Sequence, residues 1–455
     1  VLTVIHVLKG NQEKGTCAFL RVNRIFLLFF FLLSSSLLCP AQPAPEAELL
    51  LRDGAWCWFS DPRAVYHHGE HERTYTGWVD SRGNINVGYF DHRLGNFHAR
   101  TLDPQLEVDD HNNPSLLLTP DGRLLVFYSR HSRSDPIFLQ EARRPESIAE
   151  WAPRRALSLN DTAAYRGLLN SYTYTNPALL SEEGDRIYLF WRGMDLKPNV
   201  AHSDDLGKTW SKGKILIQPP AIYKNRRPYL KVAGDGRDRI HLAFTDGHPR
   251  KEPTNSIYYA QYREGAFYRA DGQGITTYDE LPFEPRQADL VYDASETGER
   301  AWIWDVAADR EGRPVLVYAR FPDDGHHVYY YARWDGRRWR NYRLLDSGGW
   351  FPKTPPGEEE REPNYSGGLV LDHEDPNIVY LSRERGGVFE IERWTTTDGG
   401  QSWNKARLTQ NSGRDNVRPF AVRGAEAGTS LQVLWMRLTR YGHYTDFKGD
   451  IFGGE

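Results

Sequence analysis

A hairpin recurs along this chain, and that repeat limits the possible fold more than any other feature. Leu124-Leu125-Val126-Phe127-Tyr128 follows the turn Pro120-Asp121-Gly122, and Ile187-Tyr188-Leu189-Phe190-Trp191 follows Glu183-Gly184-Asp185. Ile240-His241-Leu242-Ala243-Phe244 follows Asp235-Gly236, and Val315-Leu316-Val317-Tyr318 follows Glu311-Gly312. Later copies are Ile378-Val379-Tyr380-Leu381 and Leu431-Gln432-Val433-Leu434-Trp435. Another apolar run precedes the turn, as Ser115-Leu116-Leu117-Leu118 precedes Pro120. Short β-branched and aromatic runs joined by Asp-Gly chemistry are strands in hairpins. Sustained helical periodicity is almost absent, the nearest approach being 147–151.

Two copies carry a second pattern, Ser203-Asp204-Asp205-Leu206-Gly207-Lys208-Thr209-Trp210 and Thr396-Thr397-Asp398-Gly399-Gly400-Gln401-Ser402-Trp403. In each, the third-position Asp can accept from amides of its own turn, Gly can take positive φ, and Trp can fill the gap between neighbouring sheets. The pattern resembles the Asp-box, or BNR repeat, of sialidase-like propellers. The expected fold is therefore all-β: a seven-bladed β-propeller of four-stranded antiparallel blades over 53–108, 109–160, 170–220, 226–280, 300–346, 363–412 and 415–450. Radial repetition protects strand edges, so one domain (53–455) accounts for the length.

Composition removes several functional classes. With 57 basic and 61 acidic side chains the net charge is −4, which argues against a nucleic-acid binder working through bulk charge. At the amino end, Arg21 and Arg24 precede an apolar run from Ile25 to Leu33, and Leu37-Leu38-Cys39-Pro40-Ala41 follows. A basic flank, a short apolar core and a small-residue exit mark a signal peptide over 1–41, with 42–52 as linker. The expected location is secreted, periplasmic or cell-surface. Lipid anchoring through Cys39 fits less well, because bulky Leu38 precedes it. The run is too short for a membrane span, so none is expected in the mature chain. Of three cysteines only Cys57 then remains, which excludes an internal disulfide. A monomer is expected.

Folding the hairpins brings polar residues to one rim. His111 and His131 stand equally far from Asp121 and should face each other at the end away from the turn. The same operation sets Tyr174 and Asn176 beside Arg192, and Arg227 and Tyr229 near Asp246 and His248. Trp304, Asp305, Arg320, Tyr365, Arg383, Arg418 and Arg437 are expected on the same rim. His67, His68 and His71, like His326 and His327, are read as exposed. A cationic, aromatic mouth suits an acidic polysaccharide or oligosaccharide, with Arg for the anion and rings for the sugar faces.

Such a set fits β-elimination from a uronate. An Arg neutralises the carboxylate, a His or Tyr takes the C5 proton, and a second group protonates the departing glycosidic oxygen. Hydrolysis would need two carboxyl groups flanking one bond, and the rim offers only Asp61, Asp246 and Asp305. The chemistry requires no cofactor.

A wider resemblance points the same way. Asp109-Asp110-His111-Asn112-Asn113-Pro114, Tyr128-Ser129-Arg130-His131, Phe190-Trp191-Arg192-Gly193, Arg227-Pro228-Tyr229 and Phe244-Thr245-Asp246-Gly247-His248-Pro249 resemble the BNR-repeat family containing the propeller-type ulvan lyases. Trp56-Cys57-Trp58-Phe59-Ser60-Asp61-Pro62-Arg63 and Tyr365-Ser366-Gly367-Gly368 extend the resemblance over nearly all of 53–450. It implies a lyase site of paired histidines like His111 and His131, a tyrosine in the region of Tyr174, with Tyr172 as the alternative, and arginines like Arg192 or Arg227. The expected catalytic set is His111, His131, Tyr174 and Arg192, with Arg227, Tyr229, Asn112, His248 and Tyr365 binding substrate. Related propellers include an α-L-rhamnosidase branch, so a glycoside hydrolase and a non-catalytic sugar-binding propeller stand as alternatives. Some ulvan lyases hold a structural zinc on cysteines. Cys57 alone cannot reproduce that site, and a metal is left open.

Overall fold

Seven antiparallel sheets follow one another along the chain. A computed structural model describes residues 47–348 and 367–455. The signal-peptide segment 1–41 and Tyr365 lie outside the described residues. Blade one is Ala64–His68, Glu72–Val79, Ile85–Asp91 and Asn96–Asp103; blade two is Ser115–Leu118, Leu124–Tyr128, Ile137–Glu141 and Arg155–Leu157. Blade three runs Thr173–Leu180, Arg186–Arg192, Pro198–Ser203 and Lys214–Ile215. Blade five is Arg300–Ala308, Pro314–Phe321, Val328–Trp334 and Trp339–Asp346, and blade six Leu369–Leu371, Ile378–Arg385, Val388–Thr395 and Asn404–Arg407. The expected seven-bladed propeller is present. No helix among the described residues is long and apolar enough to cross a membrane.

Blade four departs from the four-strand rule. After Leu230–Gly234, Arg239–Thr245 and Ile257–Arg263 the chain adds the short hairpin Ala266–Tyr268 and Gly274–Thr277, and Asp289–Tyr292 pairs with Ile257–Arg263 as well. Blade seven departs in another way. It comprises Asn416–Ala421, Val433–His443 and Asp446–Gly454, and its fourth strand is Glu48–Leu51 from the other end of the sequence. Glu48 pairs with Gly453 and Leu51 with Ile451. Within the expected linker, Glu48–Leu51 is thus a strand: Leu50 and Leu51 are buried, and pairing them protects an edge that would otherwise stay open.

The two Asp-boxes act as seams between blades. Asp205 accepts from the Thr209 amide at 2.8 Å, Gly207 has φ of 83°, and Trp210 meets Phe127 of blade two edge-on at 6.0 Å. Asp398 likewise accepts from the Ser402 amide at 2.9 Å, and Trp403 meets Tyr331 of blade five at 5.1 Å. Each Trp therefore fixes its own sheet to the preceding one.

Three expectations about histidines change, for His71 is half-buried too. His327 is buried beside Phe321, with ring centres 4.4 Å apart, and burial pushes its pKa down to about 3. His67 is half-buried and held by Glu146 at 3.2 Å, whereas His68 is exposed.

Candidate active site

The innermost hairpins deliver their polar ends to one mouth of the ring. In blade two, Ser115 pairs with Phe127 and Leu118 with Leu124; continuing that register outward sets His111 opposite His131. His111 lies in the single turn Asp110–Asn112, capped by Asp109, which accepts from the His111 amide at 2.9 Å. The two imidazoles stack with centres 4.1 Å apart and planes 9° from parallel.

One carboxylate holds both rings. Asp109 Oδ1 is 2.8 Å from His111 Nδ1, and Asp109 Oδ2 is 2.8 Å from His131 Nδ1. His111 Nδ1 also lies 3.0 Å from Asp110 Oδ1. Asp110 is fully buried and anchored across the ring closure: Arg418 of blade seven donates to it at 2.6 Å, Tyr441 donates a further bond, and its amide donates to the Tyr444 carbonyl at 2.9 Å. Burial opposes charge on both imidazoles, but two carboxylates outweigh it at His111, whose pKa stands well above that of an ordinary imidazole. At His131 burial, reinforced by repulsion from His111, pushes the pKa down to about 4. Burial would raise the Asp109 pKa, yet the two histidines hold it below the usual carboxylate range.

Blade three supplies the next pair. The strand bulges between Thr173 and Asn176, and Tyr174 there takes φ of 60°, a left-handed conformation that turns its ring to the histidines. Its ring centre is 5.6 Å from His111 and 6.3 Å from His131. Arg192 lies over that ring at 4.5 Å and donates to Tyr229 Oη at 3.1 Å and Ser132 Oγ at 2.5 Å. Burial raises the Tyr174 pKa well above that of a free phenol despite the opposing pull of Arg192, so the hydroxyl keeps its proton. Tyr229 contacts His248 at 5.5 Å, and burial plus nearby Arg250 and Arg192 hold His248 neutral.

These residues line one cavity of about 210 Å³ together with Cys57, Trp58, Phe59, Arg227, Arg250, Lys251, Trp302 and Tyr444. His111, His131, Tyr174, Arg192, Arg227, Tyr229 and His248 thus meet as the sequence suggests. Asn112 does not join them: it is fully buried, with its amide on Glu107 at 3.1 Å. Of the wider rim, none of Trp304, Asp305, Arg320, Arg383, Arg418 and Arg437 lines this cavity. Trp304 stacks on Trp58 beneath it at 4.3 Å, and Arg320 is sandwiched 3.8 Å from both Tyr292 and Tyr330. Arg437 bonds Asn416, Arg383 lies beside buried Glu392, and Arg418 is spent on Asp110.

No carboxylate lines the cavity among the described residues. Asp61 pairs with Lys231 and Arg63, Asp246 with Arg226, and Asp305 with His373. A larger cavity, about 670 Å³, opens at the hairpin-turn end of the ring, but its cations and acids are mixed and it holds none of His111, His131, Tyr174 and Arg192. Sequence reasoning missed Tyr444, whose ring meets His111 edge-on at 4.7 Å, and also Ser132, Arg250, Lys251 and Trp302. A cysteine-ligated metal does not fit the described residues, among which Cys57 is the one cysteine, buried with its thiol pKa raised by burial. Nor is the Asp109–His111–His131 group an open ligand set, because the facing atoms are already spent on one another.

The fold and this mouth define a propeller with a cationic, aromatic cleft built around a stacked histidine pair. More particularly, a BNR repeat-containing family model matches residues 73–347, and the chain belongs to that family. It is 23% identical over 444 residues to an ulvan lyase of Nonlabens ulvanivorans, covering 82% of this chain and 85% of the relative. It is 21% identical over 336 residues to Ulvan Lyase-PL25 of Pseudoalteromonas sp. (strain PLSV), covering 61% and 64%. Among solved structures, a PL25 ulvan lyase bound to -[GlcA(1-4)Rha3S]- superposes with a TM-score of 0.66 at 14% identity, covering 90% of this chain and 96% of that one. The polysaccharide lyase Uly1 gives 0.58 at 10% identity, covering 90% and 97%.

Proposed function

We propose that this protein is a polysaccharide lyase that cleaves an ulvan-type polymer, in which a uronate alternates with sulfated rhamnose, by β-elimination. One observation carries the reading: the cleft joins a stacked histidine pair, each ring bonded to Asp109, to a surplus of cations, and no carboxylate lines it among the described residues. Hydrolysis by paired carboxyl groups finds no such pair among the described residues of the cleft. An anionic sugar, by contrast, finds Arg192, Arg227, Arg250 and Lys251 for its charges and Trp302, Tyr229 and Tyr444 for its ring faces.

The steps follow from the protonation pattern. Arg192 and the imidazolium of His111 stabilise the substrate carboxylate as it takes on enolate character. The neutral member of the pair, His131 in the free enzyme, receives the C5 proton at Nε2, because its Nδ1 hydrogen is engaged by Asp109. Of the two histidines, the base role therefore falls to His131. The C5 electron pair forms the C4=C5 double bond, the C4–O bond breaks, and the departing oxygen takes the Tyr174 hydroxyl proton. Arg192, over that ring, stabilises the phenolate left behind. A polymer of this kind cannot cross a membrane intact, so the work belongs outside the cytoplasm, where the basic-flanked apolar segment would direct the chain.

Incubation with ulvan tests the reading. Growth of ultraviolet absorbance from unsaturated uronyl ends is expected, and His131→Gln should abolish it. Free rhamnose without that absorbance would establish a hydrolase instead, and binding with neither product a lectin.

A further inference from the structure

The cleft reading leaves unexplained why two imidazoles should share one buried acid. We propose that Asp109 is a positioning residue that locks both histidines as Nδ1–H tautomers and makes them a unit holding a single proton beyond the neutral state. This inference deepens the lyase reading and rests on it for its kinetic arm only.

The geometry leaves little freedom. Each carboxylate oxygen has its own imidazole partner at 2.8 Å, and the carboxylate is nearly inaccessible to solvent. A carboxylate can only accept, so both Nδ1 atoms must carry hydrogen, and both Nε2 atoms are freed for other partners. The rings are stacked 4.1 Å apart, so a second positive charge would sit directly against the first. Other charged or ionisable groups around the pair do not break this arrangement. Asp110 reinforces His111 from behind, with Arg418 beyond it. Glu107 accepts the His131 backbone amide at 3.0 Å rather than its ring. Arg192 faces the pair across Tyr174, and Cys57 and Tyr444 complete the wall. All told, one anion bridges, a second backs one ring only, and the cation in front disfavours further protonation. Titration of such a pair belongs to both members jointly.

Asp109→Asn is the discriminating change, since it keeps the shape but offers one acceptor and one donor. The donor confronts an Nδ1 hydrogen, so that ring must move its hydrogen to Nε2 and lose the lone pair a base needs. Nitrogen-15 imidazole spectra of the variant should show one of the two rings switched to the Nε2–H tautomer. With ulvan, kcat should fall about 100- to 10,000-fold, as when the orienting acid of a histidine is neutralised elsewhere, while KM stays within about threefold. Unchanged tautomers with kcat within about threefold of wild type would overturn the proposal. Should the variant not fold, wild-type spectra decide: Nδ1 hydrogens on both rings near neutral pH are expected, and an Nε2–H tautomer at either overturns it. These spectra need no substrate, so a failed lyase assay on wild-type protein would sink the activity and leave the positioning claim to stand or fall separately.

Discussion

Replacing Lys231 with Met should do more damage than its distance from the histidines implies. Its ammonium is buried in the centre of the ring and donates to Asp61 Oδ2 and to the Trp58 carbonyl, tying blade four to the loop that enters blade one. Asp61 keeps only Arg63 Nε, at 3.0 Å, as a close side-chain cation once the lysine is gone. Burial alone would push the Asp61 pKa up, and Lys231 is the leading group that holds it down. Removing one partner of a buried pair costs about 3–5 kcal/mol. With unfolding entropy near 2.1 cal/mol/K per residue, a folded unit of about 400 residues loses roughly 0.8 kcal/mol of stability per degree, so the melting midpoint should drop about 4–6 °C. Scanning calorimetry measures this. Adding Asp61→Asn removes the stranded charge and should return about 1–3 kcal/mol of the loss, a coupling read from the double-mutant cycle. Because Trp58 and Phe59 line the cleft, kcat/KM should fall with the single change as well. A loss under about 1 kcal/mol, or strictly additive effects, would refute the idea that this ion pair holds the floor of the site.

Three further outcomes follow from the same structure. The base must be neutral, so kcat/KM should be lost as pH falls through about 4; His111 must stay charged, so it should also be lost on the alkaline side, above an ordinary imidazole pKa. In residual-activity or NMR titrations, His111→Gln should move the acid limb upward, since the neighbouring charge that depresses His131 is gone; an unmoved limb would contradict the coupling. Leu50→Asp, which buries a charge in the closing strand, should lower the melting midpoint by several degrees, whereas Leu49→Asp on the exposed side should be nearly silent. Equal effects at both positions would mean that the strand does not close the ring in solution.

What the sequence revealed divides along the distinction between local and closing contacts. Hairpin symmetry about Asp121 was enough to bring His111 to His131, and the same arithmetic joined Tyr174 to Arg192 and Tyr229 to His248, because antiparallel register is a local property. It failed where blades close on one another. Tyr444 reaches the histidines from a turn in blade seven, and Asp110 meets Arg418 across the same seam; neither pairing has a sequence signature. Glu48–Leu51 was legible as apolar but not as a strand, for its partner lies at the far end of the chain. The arginines of blades five to seven were misplaced for a different reason. Alternation along a strand decides which face a side chain takes, and Arg320 and Arg437 lie on aromatic rings rather than in the cleft. Asn112 followed its neighbours in sequence but not in space, since one turn of 3-10 helix aims it inward.

The seam in blade seven also bears on how the molecule comes into being. A chain grows from its amino end, so Glu48–Leu51 emerges early and must wait, unpaired, until the final hairpin containing Gly453 has been made. Until then the blades form an arc with two raw edges, each able to recruit a strand from another molecule. Only a finished polypeptide can become a ring, and the turn bearing His111 receives its last anchors, Arg418 and Tyr441, from that same late segment. Assembly and the aiming of the histidine pair would thus be completed in one event.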